Sequence, residues 1–276
     1  MRRATTTRLV ELADELSARD RQISETVGRL KLLSGSQVER LYFAEGASPA
    51  TRARLARRAL ARLAGLGVLG RLERRIGGVR AGAAGHVYYL AAAGQRMVAY
   101  WQGEGLRRTR SPYEPTVALV RHTLAVSECY VRCTEAARAG VATLVDFAAE
   151  PECWERYTGR DGARLTLKPD ARVILGLDGS SDAGAEESHA WLEIDCATEG
   201  RRALARKAHA YHAAYRAGID RDVIPLVVWV VSAARRRELV AEVCGELPAE
   251  AWKLFAVTTP ERLIDLLTGS EPEAHP

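Results

Sequence analysis

Two apolar segments, KPDARVIL at 168–175 and HAWLEID at 189–195, decide how the second half of this chain folds. Each has the length and apolar content of a buried β-strand, and one short polar loop separates them. Asp170 follows a proline in the first segment, whereas Glu193 and Asp195 flank one residue in the second. Since side chains two apart on a strand point to the same face, Glu193 and Asp195 are expected to share a face. Acids delivered from neighbouring strands in this way can hold a divalent metal ion.

The pattern around these strands predicts a mixed α/β domain. Apolar residues at helical spacing over 115–140 come first, and strand-like runs follow at 141–150 and 164–177. The fully apolar run at 223–232 is typical of a strand in the middle of a covered sheet. The remaining predicted elements are a polar loop at 178–188, a strand at 189–198, a helix at 200–218, a helix at 233–246, a strand at 254–259 and a terminal helix from Pro260.

The first half predicts three consecutive helices. A helical spacing of apolar residues marks the first, and Ser or Asp side chains at suitable positions predict where each begins. The third helix has Pro49 in its first position and ends at Gly65 or Gly67. The residues that carry these predictions are Ile23, Val27, Leu30 and Leu33 for the first helix, with Ser17 or Asp20 as its cap, Ser34 or Ser36 as the cap of the second, and Ser48 as the cap of the third.

The third helix is rich in arginine, and a basic hairpin follows it. Strand-like runs at 68–76 and 86–91 are joined by a glycine-rich segment at 77–85. This order is typical of a winged helix-turn-helix, in which the third helix enters the major groove and the wing touches the DNA backbone. The predicted DNA-binding residues are Thr51, Arg52, Arg54, Arg57, Arg58 and Arg62 on the helix, and Arg74, Arg75 and Arg80 on the wing.

Charge is divided unevenly along the chain, whose formal net charge is +5. Residues 1–110 carry 21 Lys and Arg against 9 Asp and Glu, whereas residues 111–276 carry 19 against 26. A basic first half is expected to contact a polyanion, and the winged-helix pattern makes double-stranded DNA the predicted partner. The acidic second half needs a different explanation.

Domain boundaries follow from composition. One more helix closes the first domain, and a segment rich in Gly, Arg and Pro comes after it. The prediction is a winged-helix domain over 1–106, a linker over 107–115 and an α/β domain over 116–276.

Neither a run of about 20 apolar residues nor an apolar signal core occurs, so we expect a cytoplasmic protein without a membrane partner.

The order helix–strand–strand–strand–helix–strand, with PD on the second strand and ExD on the third, resembles the restriction-endonuclease-like core of PD-(D/E)xK nucleases. In that core, a glutamate on the first helix, the aspartate after proline and the ExK pair hold the metal. The resemblance maps these positions to Glu128, Asp170, Glu193 and Asp195. The chain departs from the pattern at Asp195, which stands where these nucleases carry lysine.

Across nearly its full length, the chain also resembles the replication-relaxation family of mobile-element proteins. The segments that carry this resemblance are RHTLAVSE at 121–128, LKPDARV at 167–173 and EIDCATEGRRALARKAHAYHAAY at 193–215. Such proteins are linked to plasmid replication, relaxation and mobilisation. The resemblance implies a relaxase or a replication protein as a partner.

Two hypotheses lead for the acidic half, beside acids at strand ends that share no site and the ligand or dimer domain of a transcriptional repressor. Lys207 lies on the inward face of a predicted helix and could supply the missing cation. The domain would then be a magnesium- or manganese-dependent endonuclease or nickase. Its catalytic residues would be Asp170, Glu193, Asp195 and Lys207. Alternatively, Asp195 pairs with Lys207 or a nearby arginine, and the domain is a cofactor-free assembly platform for another protein or a second copy of the chain. We favour the second hypothesis, because an acidic domain repels phosphates.

Overall fold

The computed structural model describes residues 6–46, 48–72, 85–104, 115–177, 186–219 and 223–270. The chain divides into two compact units, Met1–Ser127 and Glu128–Pro276. Helices and strands occur in both, with parallel and antiparallel pairing, so the predicted mixed α+β class is confirmed. No helix in the described ranges combines the length and the apolar character that crossing a bilayer requires.

Helices and a small antiparallel sheet make up the described part of the first unit. The sheet has the strand order β1-β3-β2, and both pairs in it are antiparallel. The elements are α1 (Thr6–Glu15), α2 (Ala18–Leu30), β1 (Leu32–Ser34), α3 (Gly35–Tyr42), α4 (Pro49–Gly65), β2 (Leu69–Arg71), β3 (Val87–Leu90) and α5 (Ala92–Trp101).

Serine side chains cap the three predicted helices, as the sequence indicates. Ser17 and Asp20 form a capping box at α2, so both predicted candidates take part. Ser34 caps α3, and Ser48 caps α4 with Pro49 behind it. These caps satisfy backbone N–H groups that would otherwise lack partners in the first helical turn.

The prediction that Leu33 belongs to the first helix is wrong. The helix α2 ends at Leu30, and Lys31 takes a positive φ of 69°, which a helix does not allow. Leu33 then lies opposite Tyr88 in the β1–β3 ladder, where it is fully buried. Burial against a long-range strand partner therefore outweighs the helical spacing that continues through this position.

The helix α6 (Val117–Arg138) belongs to both units. In its first half, the backbone oxygen of Leu124 accepts a hydrogen bond from Gln37 Nε2 at 3.0 Å. Ser127 Oγ donates to the backbone oxygen of Leu32 at 2.8 Å, and Val120 packs in the same small apolar cluster as Leu32. The first half of α6 thus completes the core of the first unit.

A five-stranded mixed sheet forms the second unit, with the strand order β10-β9-β8-β7-β4. The strands β4, β7 and β8 pair antiparallel, whereas β8, β9 and β10 pair parallel. The elements are β4 (Thr143–Ala149), β5 (Glu155–Thr158), β6 (Arg164–Leu167), β7 (Ala171–Leu177), β8 (Glu186–Asp195), α7 (Arg201–Arg216), β9 (Leu226–Val231), α8 (Ala234–Gly245), α9 (Ala249–Trp252), β10 (Phe255–Thr258), a 3-10 helix (Pro260–Arg262) and α10 (Leu263–Leu267).

The predicted strand at 164–177 is two strands in two different sheets, which corrects the sequence interpretation. Its first part, β6, pairs with β5 in a separate hairpin, and its second part, β7, lies in the central sheet. Pro169 stands between them, and a proline cannot donate a backbone hydrogen bond to a ladder. The break therefore leaves Asp170 directly before β7.

Each face of the central sheet packs against different helices. On one face, Trp191 lies beside Tyr211 of α7, with ring centroids 5.7 Å apart, and Trp229 joins the same apolar cluster. On the other, Phe147 contacts Tyr130 of α6 edge-on at 5.3 Å. Because side chains alternate along a strand, residues 193 and 195 share the face of Trp191, which is the α7 side.

Candidate functional site

The predicted acids meet near one end of the β7–β8 pair. Asp170 is nearly buried, and its backbone N–H donates to the backbone oxygen of Leu192 at 3.0 Å. Its side-chain Oδ2 accepts a hydrogen bond from the backbone N–H of Ile194 at 2.7 Å. Asp170 is thus bonded to the two residues that flank Glu193 in β8. Its backbone N–H binds Leu192, and its carboxylate binds Ile194.

Both oxygens of Glu193 accept hydrogen bonds from side chains of α7. Lys207 Nζ donates to Oε2 at 2.8 Å, and the hydroxyl of Tyr211 donates to Oε1 at 2.5 Å. The two donors are one helical turn apart, so they reach the same carboxylate from one face of the helix. Glu193 itself is 1% exposed, which means that these protein groups take the place of water around it.

The electrostatics of this cluster place Glu193 near its titration point at neutral pH. Burial, reinforced by the negative charge of Asp170, raises the pKa of Glu193 to about 7, although Lys207 and Tyr211 stabilise its ionised form. Burial alone would lower the pKa of Lys207, but the charge and hydrogen bond of Glu193, together with the charges of Asp170 and Glu199, outweigh burial and raise that pKa. Glu193 is therefore the member of this pair that titrates near neutral pH, while Lys207 remains charged.

Lys207 reaches the acidic cluster from the helix, as its inward position in the sequence suggests. Its ammonium group also contacts Glu199 Oε1 at 3.3 Å and lies 5.9 Å from the centroid of the Trp229 ring. With a third of its side chain exposed, Lys207 connects the buried acid to solvent. A catalytic role for Lys207 stays a prediction.

Asp195 is paired with an arginine that the sequence interpretation did not single out. The guanidinium of Arg236 binds both oxygens of Asp195, with Nη2 2.8 Å from Oδ1 and Nε on Oδ2. Arg236 Nη2 also donates to the backbone oxygen of Glu199 at 2.8 Å, and the N–H of Ala197 donates to Asp195 Oδ1 at 2.9 Å. The side chain of Asp195 is 1% exposed, so Arg236 is its counter-ion in the interior.

The run RRR at 235–237 could have indicated this pairing. It begins a helix directly after the apolar strand β9, and β9 runs parallel to β8. Carboxyl ends of parallel neighbours meet at one edge of a sheet, which brings the start of α8 to the end of β8.

These acids do not fit a divalent metal ion as they are arranged. Magnesium needs carboxylate oxygens that are open to it, whereas both oxygens of Glu193 and both of Asp195 already accept hydrogen bonds from protein donors. Among the described residues, no group of three His, Cys, Asp or Glu side chains is placed to hold a metal. The predicted magnesium or manganese cofactor, and the metal-binding role of Asp170, Glu193 and Asp195, stay predictions.

Glu128, which the nuclease resemblance assigns to the first helix, lies in a local ion pair. Its Oε1 is 3.4 Å from Nε of Arg132, one turn further along α6. Arg132 also approaches Glu261 at 3.7 Å. Both side chains are only about a quarter exposed, so this is a partly buried ion pair within α6.

The structure divides the predicted DNA-binding residues of α4 into exposed and engaged side chains. Arg54 and Arg58 are exposed on the side opposite the buried face of the helix, whereas Arg57, also exposed, donates from Nε to the backbone oxygen of Ala53 at 3.1 Å. Arg62 donates to both carboxylate oxygens of the buried Asp20 at 2.6 Å. The other engaged residues are Arg52, which donates to the backbone oxygen of Ala44 at 2.8 Å, and Thr51, whose Oγ1 bonds with Ser48 at 3.1 Å.

Several predicted segments lie outside the described residues. They are the wing arginines Arg74, Arg75 and Arg80, the linker at 107–115 except Pro115, and the polar loop at 178–188 except its last three residues, which begin β8. The wing contacts and the linker therefore stay predictions.

Comparison with known proteins supports one of the two resemblances directly. A family model described as replication-relaxation matches residues 25–227, which include most of both compact units and every acid of the cluster. Searches of curated proteins and of solved structures gave no match. The chain belongs to the replication-relaxation family.

Proposed function

We propose that this protein is a DNA-binding accessory factor for the replication, relaxation or mobilisation of a mobile element. Membership of the replication-relaxation family indicates a role in the replication or relaxation of such elements. The finer proposal is that the first unit is a winged-helix domain that binds double-stranded DNA. The second unit would then be a nuclease-like platform that docks a relaxase, a replication protein or a second copy of the chain.

One observation carries the DNA-binding proposal, namely the exposed arginines of α4. Ala56, Leu60 and Leu63 bury one face of the helix, while Arg54 and Arg58 lie exposed one turn apart. No acidic residue occurs in α4, so nothing on the helix itself neutralises this face. The order of α2, α3 and α4 before the β2–β3 pair is compatible with a winged helix, in which this helix enters the major groove.

A gel-shift titration with duplex DNA at near-physiological salt tests this proposal. We expect Arg54→Ala/Arg58→Ala to lose most duplex binding, because two phosphate or base contacts are removed together. Arg160→Ala/Arg164→Ala is the matched control, since it removes the same charge from an exposed turn and strand of the second unit. Undiminished binding by the α4 variant would contradict the proposal.

The platform proposal for the second unit rests on the internal counter-ions of its acids. Lys207 and Arg236 occupy the carboxylate oxygens of Glu193 and Asp195 that a catalytic metal would need. Asp195 also replaces the lysine that nucleases of this resemblance carry. Both facts favour a nuclease-like domain in which these acids form buried ion pairs and do not carry out catalysis.

A supercoiled-plasmid assay with EDTA, magnesium or manganese separates the platform from the nuclease alternative. We expect the wild-type protein to leave the plasmid intact with every addition, and Asp170→Asn and Glu193→Gln to behave alike. Metal-dependent nicking that both variants lose would replace the platform proposal with that of an endonuclease or nickase. Asparagine and glutamine keep the volume of the buried acids, so that folding and chemistry can be separated.

A further inference from the structure

The helix α7 is basic although the half of the chain that contains it is acidic. Its sixteen residues, RRALARKAHAYHAAYR, include four arginines, one lysine and two histidines, and contain neither Asp nor Glu. Residues 111–276 as a whole carry more acidic than basic side chains. Surface helices usually mix the two signs, so this segregation of charge requires a reason.

Two faces of α7 have different contacts. Leu204, Ala208, Tyr211 and Ala214 are buried against the sheet and α8. On the opposite side, Arg202, Arg206 and His209 are exposed at a spacing of four and three residues. Positions with this spacing lie above one another on a helix, so the three side chains form one exposed stripe, which we call the α7 ridge.

The arginines of the α7 ridge differ from the other arginines of the helix in their partners. Arg201 pairs with Glu242 at 2.8 Å and Glu246 at 2.6 Å, and Arg216 approaches Glu250 at 3.7 Å. Arg202 and Arg206 form no ion pair within the described part of the chain. Two arginine side chains, which leave the helix about 6 Å apart along its axis, are therefore available to a partner outside the protein.

We propose that the α7 ridge contacts the phosphate backbone of duplex DNA, which gives the acidic unit its own site for nucleic acid. Guanidinium groups bind phosphate oxygens through two parallel hydrogen bonds, and the ridge presents positive charge without an acidic residue on the same helix. This inference rests on the proposed DNA-binding function of the chain, and adds a second contact to that of α4.

The surroundings of the α7 ridge favour DNA over a protein partner. The other exposed residues of α7 are Arg201, Ala210, Ala213 and Arg216, and none of them is a large apolar residue. Hot spots of protein interfaces are enriched in Trp, Tyr and Arg, and the exposed residues of α7 supply arginine without an aromatic residue beside it. A basic stripe of this kind suits the phosphate backbone of DNA, because phosphate contacts depend on positive charge and not on a pocket for a side chain.

Salt dependence of duplex binding by the full-length protein tests this inference. Each phosphate contact contributes about 0.9 to the slope of log affinity against log salt, so we expect Arg202→Ala/Arg206→Ala to lower that slope by roughly 2. The loss of affinity should be equal for unrelated DNA sequences, because backbone contacts carry no base information. Circular dichroism should show unchanged folding, since both side chains are exposed.

The control variant Arg160→Ala/Arg164→Ala removes two positive charges from the same unit, and should leave the slope unchanged. An equal fall in slope for this control would overturn the inference, since it would show a general effect of net charge. An unchanged slope for Arg202→Ala/Arg206→Ala, with binding still lost in Arg54→Ala/Arg58→Ala, would overturn the α7 contact and leave the proposed function standing. Failure of the wild-type protein to bind any duplex would overturn both.

Discussion

At the scale of single residues, Glu193 connects the structure to pH. Burial raises its pKa to about 7 from an ordinary value of 4.5. Between those values, the folded state binds a proton at Glu193 that the unfolded state releases. This proton stabilises the folded protein fully below about pH 4.5, and the stabilisation is lost as the pH rises through about 7.

We therefore compare the free energy of unfolding of the wild-type protein with that of Glu193→Gln. As the pH rises from about 5 to about 8, the wild-type value should fall by on the order of 2 kcal/mol more than that of the variant. The glutamine cannot titrate, and other groups contribute equally to both proteins. Urea denaturation of the two proteins at several pH values measures this difference. Parallel pH profiles would show that Glu193 keeps one protonation state throughout the range.

Asp195 and Arg236 provide a second expectation at this scale. Arg236→Met would leave a buried carboxylate without its cation, and we expect the free energy of unfolding to fall by about 3 kcal/mol. In Asp195→Asn/Arg236→Met no unpaired charge remains, so the double variant should recover much of that loss. Denaturation of the wild-type protein, Asp195→Asn, Arg236→Met and the double variant gives the coupling energy between the two residues. A double variant that is less stable than Arg236→Met would contradict a role for Arg236 as the counter-ion.

The acidic cluster was only partly predictable from sequence. Strand alternation is enough to place Glu193 and Asp195 on one face, and helical spacing is enough to turn Lys207 toward them. Arg236 is 41 residues from Asp195 along the chain, and their contact depends on the parallel pairing of β8 with β9. Strand order is a property of the whole sheet, which local spacing does not determine.

At the scale of elements, α4 combines a packing role with the proposed binding role. Arg62 holds Asp20, whose side chain is 2% exposed, while Arg58 is exposed on the same helix. Burial would raise the pKa of Asp20, but hydrogen bonds from Arg62 and Ser17 outweigh it and lower the pKa. Asp20 therefore contributes stability above its ordinary pKa of 3.8, and this contribution is lost as the pH falls through the lowered value.

We expect Arg62→Ala to lower the free energy of unfolding by about 1 to 2 kcal/mol at neutral pH, a figure reduced because half of the arginine side chain is exposed. Arg58→Ala should cost less than about 0.5 kcal/mol, since its side chain lies on the surface. Thermal denaturation of both variants, beside their duplex affinities, separates stability from binding. Equal stabilities would mean that the Arg62–Asp20 pair contributes nothing to the fold.

Helices that begin with a local capping hydrogen bond were predictable, whereas the short strand β1 was not. Ser17, Ser34 and Ser48 cap their helices because the capping hydrogen bond forms within three residues. The strand β1 is only three residues long, and its sequence suits a helix equally well. Only its pairing with β3, more than fifty residues away, makes it a strand.

At the scale of the whole molecule, charge and fold divide the chain at different places. The excess of basic residues ends near 110, whereas the compact units divide within α6, between Ser127 and Glu128. The basic face of α7 is a further exception to the simple division into a basic and an acidic half. Net charge over a long segment is therefore a poor guide to which surface meets DNA, because individual helix faces can oppose it.

The two roles of α6 lead to an expectation about fragments. Fragment 1–115 keeps α1 to α5 but lacks Val120, the backbone oxygen of Leu124 and the hydroxyl of Ser127, which complete the first core. Fragment 1–138 keeps all three. We expect the shorter fragment to be less stable by about 3 kcal/mol or more, which for a domain of this size lowers Tm by on the order of 15 °C.

Thermal melts followed by circular dichroism measure the difference in Tm between the two fragments. Val120→Ala in fragment 1–138 should give an intermediate Tm, because it removes most of one buried side chain. Identical Tm values for fragments 1–115 and 1–138 would place the functional boundary at the predicted linker, 107–115, and reduce α6 to a part of the second unit. A large difference would instead make the first half of α6 an obligatory element of the DNA-binding unit. Any fragment used to map the DNA site should then extend beyond Ser127, because a shorter one would lose binding through loss of fold.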